Sequence, residues 1–302
     1  MKKLATIALG TLLATTAVPA IALDTPSSAA YLDITPCFVS CLYGRTIDAT
    51  NGSELDSFQI DPTSESFSDG AYSAELDPES SEAYFLSAGQ IFEFNISTED
   101  DLSLLSAVSG LPTIDASGVG LAIDDATDTL YMLYSDQDAF HYYVVTVDRQ
   151  NGQLGTPLEM PTALWDAGAY DFAILDGTIY VLTDVGQISM FHLSDGSPAG
   201  HIMYPELDWF DGYSIDVSEG GVLQVASRNA NTGNDEFLSY SLSTNTWGTP
   251  VATEDSYDAL AWYGIGTPAA LAETGFDPSG LALAAVALAG VGAVALRRRA
   301  RR

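Results

Sequence analysis

The chain of 302 residues carries 41 acidic and 10 basic side chains, which gives a formal net charge of −31. A surface this acidic repels phosphate backbones and argues against nucleic acid as a partner. Because the acidic residues are spread along the chain and 10% of all residues are aromatic, the composition is that of a folded protein and not of a disordered one.

The first 22 residues have the three zones of a secretory signal peptide. Lys2 and Lys3 precede an apolar run over residues 4–18, and residues 20–22 read Ala-Ile-Ala, which fits an A-x-A cleavage site. The apolar run is too short for an ordinary membrane span, and an uncleaved anchor is the alternative. We expect a signal helix over residues 1–22, cleavage after Ala22 and an exported domain over residues 23–264.

Cys37 and Cys41 are the two cysteines of the chain. An oxidising compartment favours a disulfide between them. Four steps along a straight strand would separate the Cα atoms by about 13 Å, beyond the limit of about 7 Å for a disulfide. A bridge therefore requires a turn or hairpin at this point, whereas a metal site would need more ligands than the pair supplies.

Residues 72–264 repeat a strand pattern with a period of about 45 residues. Alternating strands begin at Tyr72, Val119, Tyr170, Tyr213 and Tyr257, and apolar residues at positions one, three and five predict one buried face for each strand. Second, third and weaker fourth strands follow the first four of these, separated by acidic or glycine-containing turns. Helical periodicity is absent from the domain.

Four strands in about 45 residues are the unit of a β-propeller blade. Residues 31–60 have room for three strands, with Asn51-Gly52 as a hairpin turn, and residues 257–264 supply a fourth strand for the same blade. We therefore predict an all-β fold, a propeller of five four-stranded blades that the C-terminal strand closes. A β-sandwich is the rival but predicts no such period, and a solenoid predicts a shorter one.

Acidic and aromatic residues recur just before the first strand of most blades. In a propeller these blade-to-blade loops share one end of the ring, around the mouth of the central channel, where a ligand could stack on aromatic rings or bind through carboxylates. The candidate ligand-binding residues are Asp69, Trp165, Asp166, Trp209, Asp211 and Asp255. The alternative is structural, because Asp and Gly form tight turns and large aromatic residues fill the space between blades.

The sequence contains no motif of a catalytic nucleophile or of a phosphate-binding loop. His141, His192 and His201 lack the spacing of metal ligands. Two oxygen-rich segments, residues 124–128 and 229–235, leave calcium open as a cofactor, although neither matches an EF-hand loop. We expect a non-catalytic protein; the alternative is a polysaccharide hydrolase that uses carboxylates at the propeller mouth.

The C-terminal end consists of a pentapeptide, an apolar run and a basic tail. Residues 271–275 read Leu-Ala-Glu-Thr-Gly, residues 281–296 are almost wholly apolar, and five arginines lie within residues 297–302. As a helix the apolar run rises about 24 Å, slightly short of a hydrocarbon core, and flanking residues can cover the deficit. We expect a transmembrane helix over residues 281–296, preceded by a spacer over residues 265–280 and followed by a cytoplasmic tail.

This arrangement resembles the sorting signal of sortase substrates in Gram-positive bacteria. The usual pentapeptide is Leu-Pro-x-Thr-Gly; here alanine replaces the proline, a form that looks like the signal read by class E sortases. The sorting residues would be Leu271, Ala272, Glu273, Thr274 and Gly275. The resemblance covers residues 271–302 and implies cleavage after Thr274, whose carboxyl group is then joined to a peptidoglycan amine.

The resemblance implies that sortase and peptidoglycan are partners and that the mature protein is extracellular and anchored in the cell wall. Ligand binding, adhesion or display would then be its task, with carbohydrate or neighbouring surface proteins as further partners. The precursor would meet the membrane only through its C-terminal segment. A plain C-terminal membrane anchor with a chance pentapeptide is the alternative.

Overall fold

The computed structural model describes residues 30–36, 42–48, 53–60, 73–77, 80, 82–87, 90–95, 103–107, 116–204, 210–218, 220–229, 233, 235–252 and 260–263. The expected signal helix, transmembrane helix, sorting pentapeptide, cysteine pair and Asn51-Gly52 turn lie outside these residues. Within the described part of the chain, no helix is long and apolar enough to cross a membrane.

The described strands pair into antiparallel sheets in a propeller-like arrangement. The first sheet combines strands from both ends of the chain, in the spatial order β21 (Leu260–Tyr263), β1 (Ala30–Pro36), β2 (Leu42–Asp48) and β3 (Glu54–Ile60). The second sheet contains β4 (Ser73–Asp77), β5 (Glu82–Ser87), β6 (Gln90–Asn95) and β7 (Ser103–Ala107). The third contains β8 (Ala116–Asp124), β9 (Thr129–Asp136), β10 (His141–Val147) and β11 (Leu158–Glu159).

The remaining two sheets follow the same plan. The fourth contains β12 (Ala169–Leu175), β13 (Thr178–Thr183), β14 (Gln187–His192) and β15 (Pro198–Met203). The fifth contains β16 (Phe210–Val217), β17 (Val222–Asn229), β18 (Asp235–Ser241), β19 (Thr246–Trp247) and β20 (Val251–Ala252), of which β20 pairs with β18. From the second sheet to the fifth, spatial order therefore follows chain order.

One strand of each sheet lies against strands of the neighbouring sheets. We call these the inner strands: β4 contacts β8, β8 contacts β12, β12 contacts β16, and β21 contacts both β16 and β4. β21 also pairs with β1, with Ala30 opposite Tyr263. The strand expected within residues 257–264 therefore joins the sheet that begins near residue 30.

The described side chains of β4, β8, β12 and β16 are mostly buried on both faces of the strand, which corrects the prediction of one buried face. All five residues of β4 are buried, because an inner strand lies between the strands of two neighbouring sheets. Alternate side chains enter different layers: Leu121 packs with Leu86 of the preceding sheet, whereas Ala122 packs with Phe172 of the following sheet. The hydrophobic core thus lies between adjacent sheets.

A β-bulge interrupts three inner strands at equivalent places. The residue that the register skips is Val119 in β8, Tyr170 in β12 and Tyr213 in β16. The prediction that this position begins the buried face is wrong for Tyr170, which is 42% exposed. A bulge bends its strand and re-aims the side chain of the extra residue, so Tyr170 does not follow the alternation of the residues after it.

One short helix corrects the expectation of a domain without helices. α1 (Thr162–Ala167) connects β11 to β12, and its buried residue, Leu164, packs in the layer between the third and fourth sheets. Six residues are too few for a helical period to show in the sequence. The helix carries Trp165 and Asp166 to the end of the inner strands at which β12 begins.

Candidate functional site

Two of the six predicted ligand-face residues have described side chains. Trp165 is half-buried and Asp166 is exposed, both on α1. Asp211 lies in β16, where only its backbone is described. Asp69, Trp209 and Asp255 lie outside the described residues, so the structure brings together only the first pair.

An aromatic pair, which we call the aromatic corner, consists of the exposed Phe140 and the half-buried Trp165. Phe140 is the last residue of the turn between β9 and β10, and it is 59% exposed. Its ring stands at 89° to the indole of Trp165, with ring centroids 5.6 Å apart. Tyr142 packs on the indole at 5.3 Å, and its hydroxyl accepts a hydrogen bond from the N–H of Ala169 (3.1 Å). Phe140 is not among the residues predicted from the sequence, where its only signal is a large aromatic residue between an acidic turn and a strand.

His141 fastens the Phe140 turn to the segment that carries Trp165. Its Nδ1 lies 2.7 Å from the carbonyl oxygen of Ala139. Because a carbonyl oxygen can only accept, Nδ1 carries the proton in this contact. Nε2 lies 3.2 Å from Oγ1 of Thr162 and 3.4 Å from Glu159. The two sides of the aromatic corner are therefore held in a defined position.

A second constellation lies among the inner strands, and we call it the axial network. Asp171 is 1% exposed. Its carboxyl oxygens accept hydrogen bonds from the hydroxyls of Ser73 (3.0 Å) and Ser214 (2.6 Å) and from the N–H of Ile215 (3.0 Å). The hydroxyl oxygen of Ser73 also accepts from the N–H of Leu121 (2.9 Å). The carboxyl group thereby connects β12 with β4 and β16, and the hydroxyl of Ser73 extends the network to β8.

The axial network forms because each inner strand is an edge strand of its sheet. An inner strand has a hydrogen-bonded partner on one side only, so some of its N–H groups face the axis without a strand to receive them. Ile215 and Leu121 supply two such N–H groups, which Asp171 and Ser73 satisfy. Gly120 leaves the necessary room, because a Cβ atom at this position would overlap the carboxyl group of Asp171.

Burial governs the protonation of the axial carboxyl groups. It raises the pKa of Asp171 to about 8, although the hydrogen bonds to its oxygens act in the opposite direction. Burial also raises the pKa of Glu75 well above its ordinary value, and repulsion from Asp216, Asp125 and Asp171 adds to the effect. A neutral acid has a far smaller desolvation cost than a carboxylate, so burial favours the protonated form of Asp171.

Arg149 joins the second sheet to the third. Its guanidinium forms ion pairs with Asp77, Glu82 and Asp128. Nε donates a hydrogen bond to the hydroxyl of Tyr84 (2.9 Å), and the guanidinium carbon lies 5.1 Å from the centre of the tyrosine ring. Segment 23–274 contains three Lys or Arg residues, which are Arg45, Arg149 and Arg228. Of these, Arg149 connects the second and third sheets.

The two segments proposed for calcium contain side chains that serve turns and ion pairs. Asp124 accepts a hydrogen bond from Oγ1 of Thr127 (2.7 Å). Asp128 adopts a φ of +51° and forms an ion pair with Arg149. In the other segment, Asp235 accepts from Nε of Arg228 (3.1 Å). Among the described residues, no group of three or more His, Cys, Asp or Glu side chains is placed to hold a metal ion.

No protein-family model matches this chain, and no curated protein matches it. Solved structures with similarity include Kuenenia stuttgartiensis hydrazine synthase, 13% identical with a TM-score of 0.40, where the match covers 62% of this chain and 50% of that one. Another is U3-55K, 10% identical with a TM-score of 0.38, where the match covers 59% of this chain and 50% of the other. The chain thus spans about half the length of these structures, and likeness at this level concerns the fold alone.

Proposed function

We propose that this chain is a cell-wall-anchored surface protein whose β domain binds ligands, or serves adhesion or display, without catalysis. The observation that carries the proposal is the order of the segments along the chain. A signal-like N-terminus precedes one β domain, and Leu-Ala-Glu-Thr-Gly, an apolar run and five arginines follow it. Export, sorting and retention each require one of these segments in this order.

We also propose that the sheets are five blades of one closed ring. The neighbour contacts of the inner strands support this count, because β21 lies between β16 and β4 and pairs with β1. With the ring ending near residue 264, residues 265–274 would form the tether to the wall. Ten extended residues span at most about 35 Å, so the domain would lie close to its attachment point and act on wall polymers, small ligands or neighbouring proteins.

The burial and hydrogen bonds of Asp171 in the axial network support ligand binding over hydrolysis. Both carboxyl groups of a glycosidase must reach the bond that is cleaved or the attacking water. Asp171 is 1% exposed and receives three hydrogen bonds from its own chain, which fits a structural role. The aromatic corner and Asp166 are instead accessible at one end of the ring.

Thr274→Ala tests the anchoring. Because the proposed bond to peptidoglycan forms through the Thr274 carboxyl group, we expect the variant in the medium or the membrane fraction. The unmodified chain should stay in the peptidoglycan fraction after hot detergent and be released by cell-wall hydrolases. Thr267→Ala, in the spacer, is the matched control and should behave like the unmodified chain. Retention of the Thr274→Ala variant in detergent-resistant peptidoglycan would overturn the proposal.

A panel of chromogenic glycosides, run beside a glycan array, tests the absence of catalysis. We expect no release of the chromophore above background. Turnover that is lost in Asp166→Asn, while the variant unfolds at an unchanged temperature, would show that the hydrolase alternative is correct.

A further inference from the structure

The geometry of the aromatic corner selects among ligand shapes. The rings of Phe140 and Trp165 stand at 89° to each other. They therefore form two walls that meet at a right angle, whereas a sugar ring stacks best on one flat, open face. Two walls at this angle suit a compact group that both rings can contact at once.

The backbone of Phe140 indicates that its ring is not kept for stability. Its φ is +55°, in the left-handed region. The other described non-glycine residues with positive φ are Asp128, Asp176 and Asn245, which are the residue types that tolerate this region. A bulky residue is strained in this region. Burial offsets little of this strain, since the side chain is 59% exposed, and the ring is accessible to a ligand.

The surroundings of the corner are acidic. Asp138 lies in the same turn as Phe140, Asp166 follows Trp165 on α1, and the N–H of Asp184 donates to the last residue of α1 (3.1 Å); all three aspartates are exposed. Within residues 116–204 the one Lys or Arg residue is Arg149. It lies beyond the far end of β10 from the corner, in ion pairs with carboxylates. The local field therefore attracts cations.

We propose that the aromatic corner binds the alkylammonium group of a small cationic ligand. Phe140 and Trp165 would supply cation–π contacts, and Asp138, Asp166 and Asp184 would supply long-range attraction. This inference rests on the proposed function and deepens it, because it names the chemical class of the ligand. A quaternary amine and a protonated amino sugar share this chemistry, and a neutral sugar lacks it.

Titration of the purified full-length chain in mild detergent tests the proposal. The probes are choline and its neutral isostere, in which a tert-butyl group replaces the trimethylammonium group. We expect saturable binding of choline that weakens as the salt concentration rises, and binding of the isostere that is at least about tenfold weaker. Glucosamine against N-acetylglucosamine, the second pair of probes, distinguishes an amino sugar from a quaternary amine as the source of the ammonium group.

Phe140→Asn separates binding from folding. Asparagine tolerates the left-handed region, so the variant should unfold at the same temperature or a higher one while it binds choline about tenfold more weakly. Met203→Ala is the matched control, because Met203 is 57% exposed on β15, and it should leave choline binding unchanged.

The inference would be overturned by equal affinity for choline and its isostere, by choline binding that Phe140→Asn does not weaken, or by no saturable binding of either cationic probe. Stronger binding of N-acetylglucosamine than of glucosamine would also overturn it, in favour of a neutral sugar. These measurements use protein that is not attached to a wall. Their failure is therefore distinguishable from failure of the Thr274→Ala experiment.

Discussion

Asp171 shows how a carboxyl group can lie among converging strands without a cationic partner in the axial network. Its pKa in the folded protein is about 8 because of burial, whereas an aspartate of the unfolded chain titrates near pH 4. The folded state therefore keeps the proton between these values while the unfolded state releases it. The stability that Asp171 contributes is fully present below about pH 4 and is lost as the pH rises to about 8. Glu75, whose pKa is also raised by burial, acts in the same direction.

Asp171→Asn should reduce this pH dependence. The amide keeps the shape of the side chain, its oxygen can accept from the N–H of Ile215, its NH₂ can donate to Ser73, and it does not titrate. We expect the slope of the free energy of unfolding against pH, between pH 5 and 8, to fall by up to about 1.4 kcal/mol per pH unit. Chemical denaturation at several pH values measures it.

A second substitution at the same position provides the contrast. Asp171→Leu removes the carboxyl group that accepts from the N–H of Ile215 and from the hydroxyls of Ser73 and Ser214, and it should cost about 2 to 5 kcal/mol at every pH. If Asp171→Asn left the slope unchanged, Asp171 would have to be ionised in the folded protein.

Part of the axial network can be predicted from the sequence. Ser73, Asp171 and Ser214 each follow the residue that begins a repeat, so a polar residue recurs at one place in otherwise apolar strands. Their meeting could not be predicted, because the hydrogen bond from Ser73 to Asp171 joins residues 98 positions apart. The positive φ of Phe140 is likewise a property of the folded turn and has no counterpart in the pattern of side chains.

Among the elements, the second strands of the sheets are the easiest to predict. The second strand expected in each of the first four repeats is present as β5, β9, β13 and β17. The inner strands are harder, because a bulge shifts the alternation by one residue and hides the strand before it. β8 therefore begins at Ala116 and not at Val119. The helix α1 escapes prediction because it makes fewer than two turns.

Arg149 connects elements that the sequence places far apart, and its removal should weaken the contact between the second and third sheets. We expect Arg149→Gln to lower the free energy of unfolding by about 2 to 3 kcal/mol, because Asp77 would lose its ion pair with Arg149 in a partly buried position. The exposed fractions of the two side chains are 16% for Arg149 and 9% for Asp77. Urea denaturation measures the loss.

Arg228→Gln is the matched control for this prediction. Arg228 is 46% exposed and its partner, Asp235, lies in the same sheet. Its loss should therefore cost less than about 1 kcal/mol. Equal losses in the two variants would mean that the contact between sheets does not depend on Arg149.

For the whole molecule, the decisive element is β21. A chain that ends after residue 259 lacks β21, which is one of the two partners of β1 and a neighbour of both β16 and β4. Because strand edges left open recruit other chains, we expect aggregation or a loss of cooperative unfolding. A chain that ends after residue 264 keeps β21 and should unfold cooperatively as a monomer. Size-exclusion chromatography and thermal unfolding compare the two.

A chain ending at residue 259 that stayed monomeric with an unchanged melting temperature would contradict ring closure.

The period of about 45 residues is sufficient to predict an all-β domain of similar sheets, because repeated turns and strands are local features. The sheet shared by the two ends follows only from counting strands. The pairing of Ala30 with Tyr263 leaves no local signal in either segment.

Because β1 pairs with β21, the first sheet cannot be completed until the end of the domain has been synthesised. Residue 60, at the end of β3, is made about 200 residues before β21, and at about 5 to 20 residues per second the interval is roughly 10 to 40 s. Throughout this interval β1 lacks β21, one of its two partner strands. Molecular chaperones therefore have a long period in which to act on the nascent chain, and a ribosome that stalls between the fifth sheet and β21 would release a product one strand short of completion.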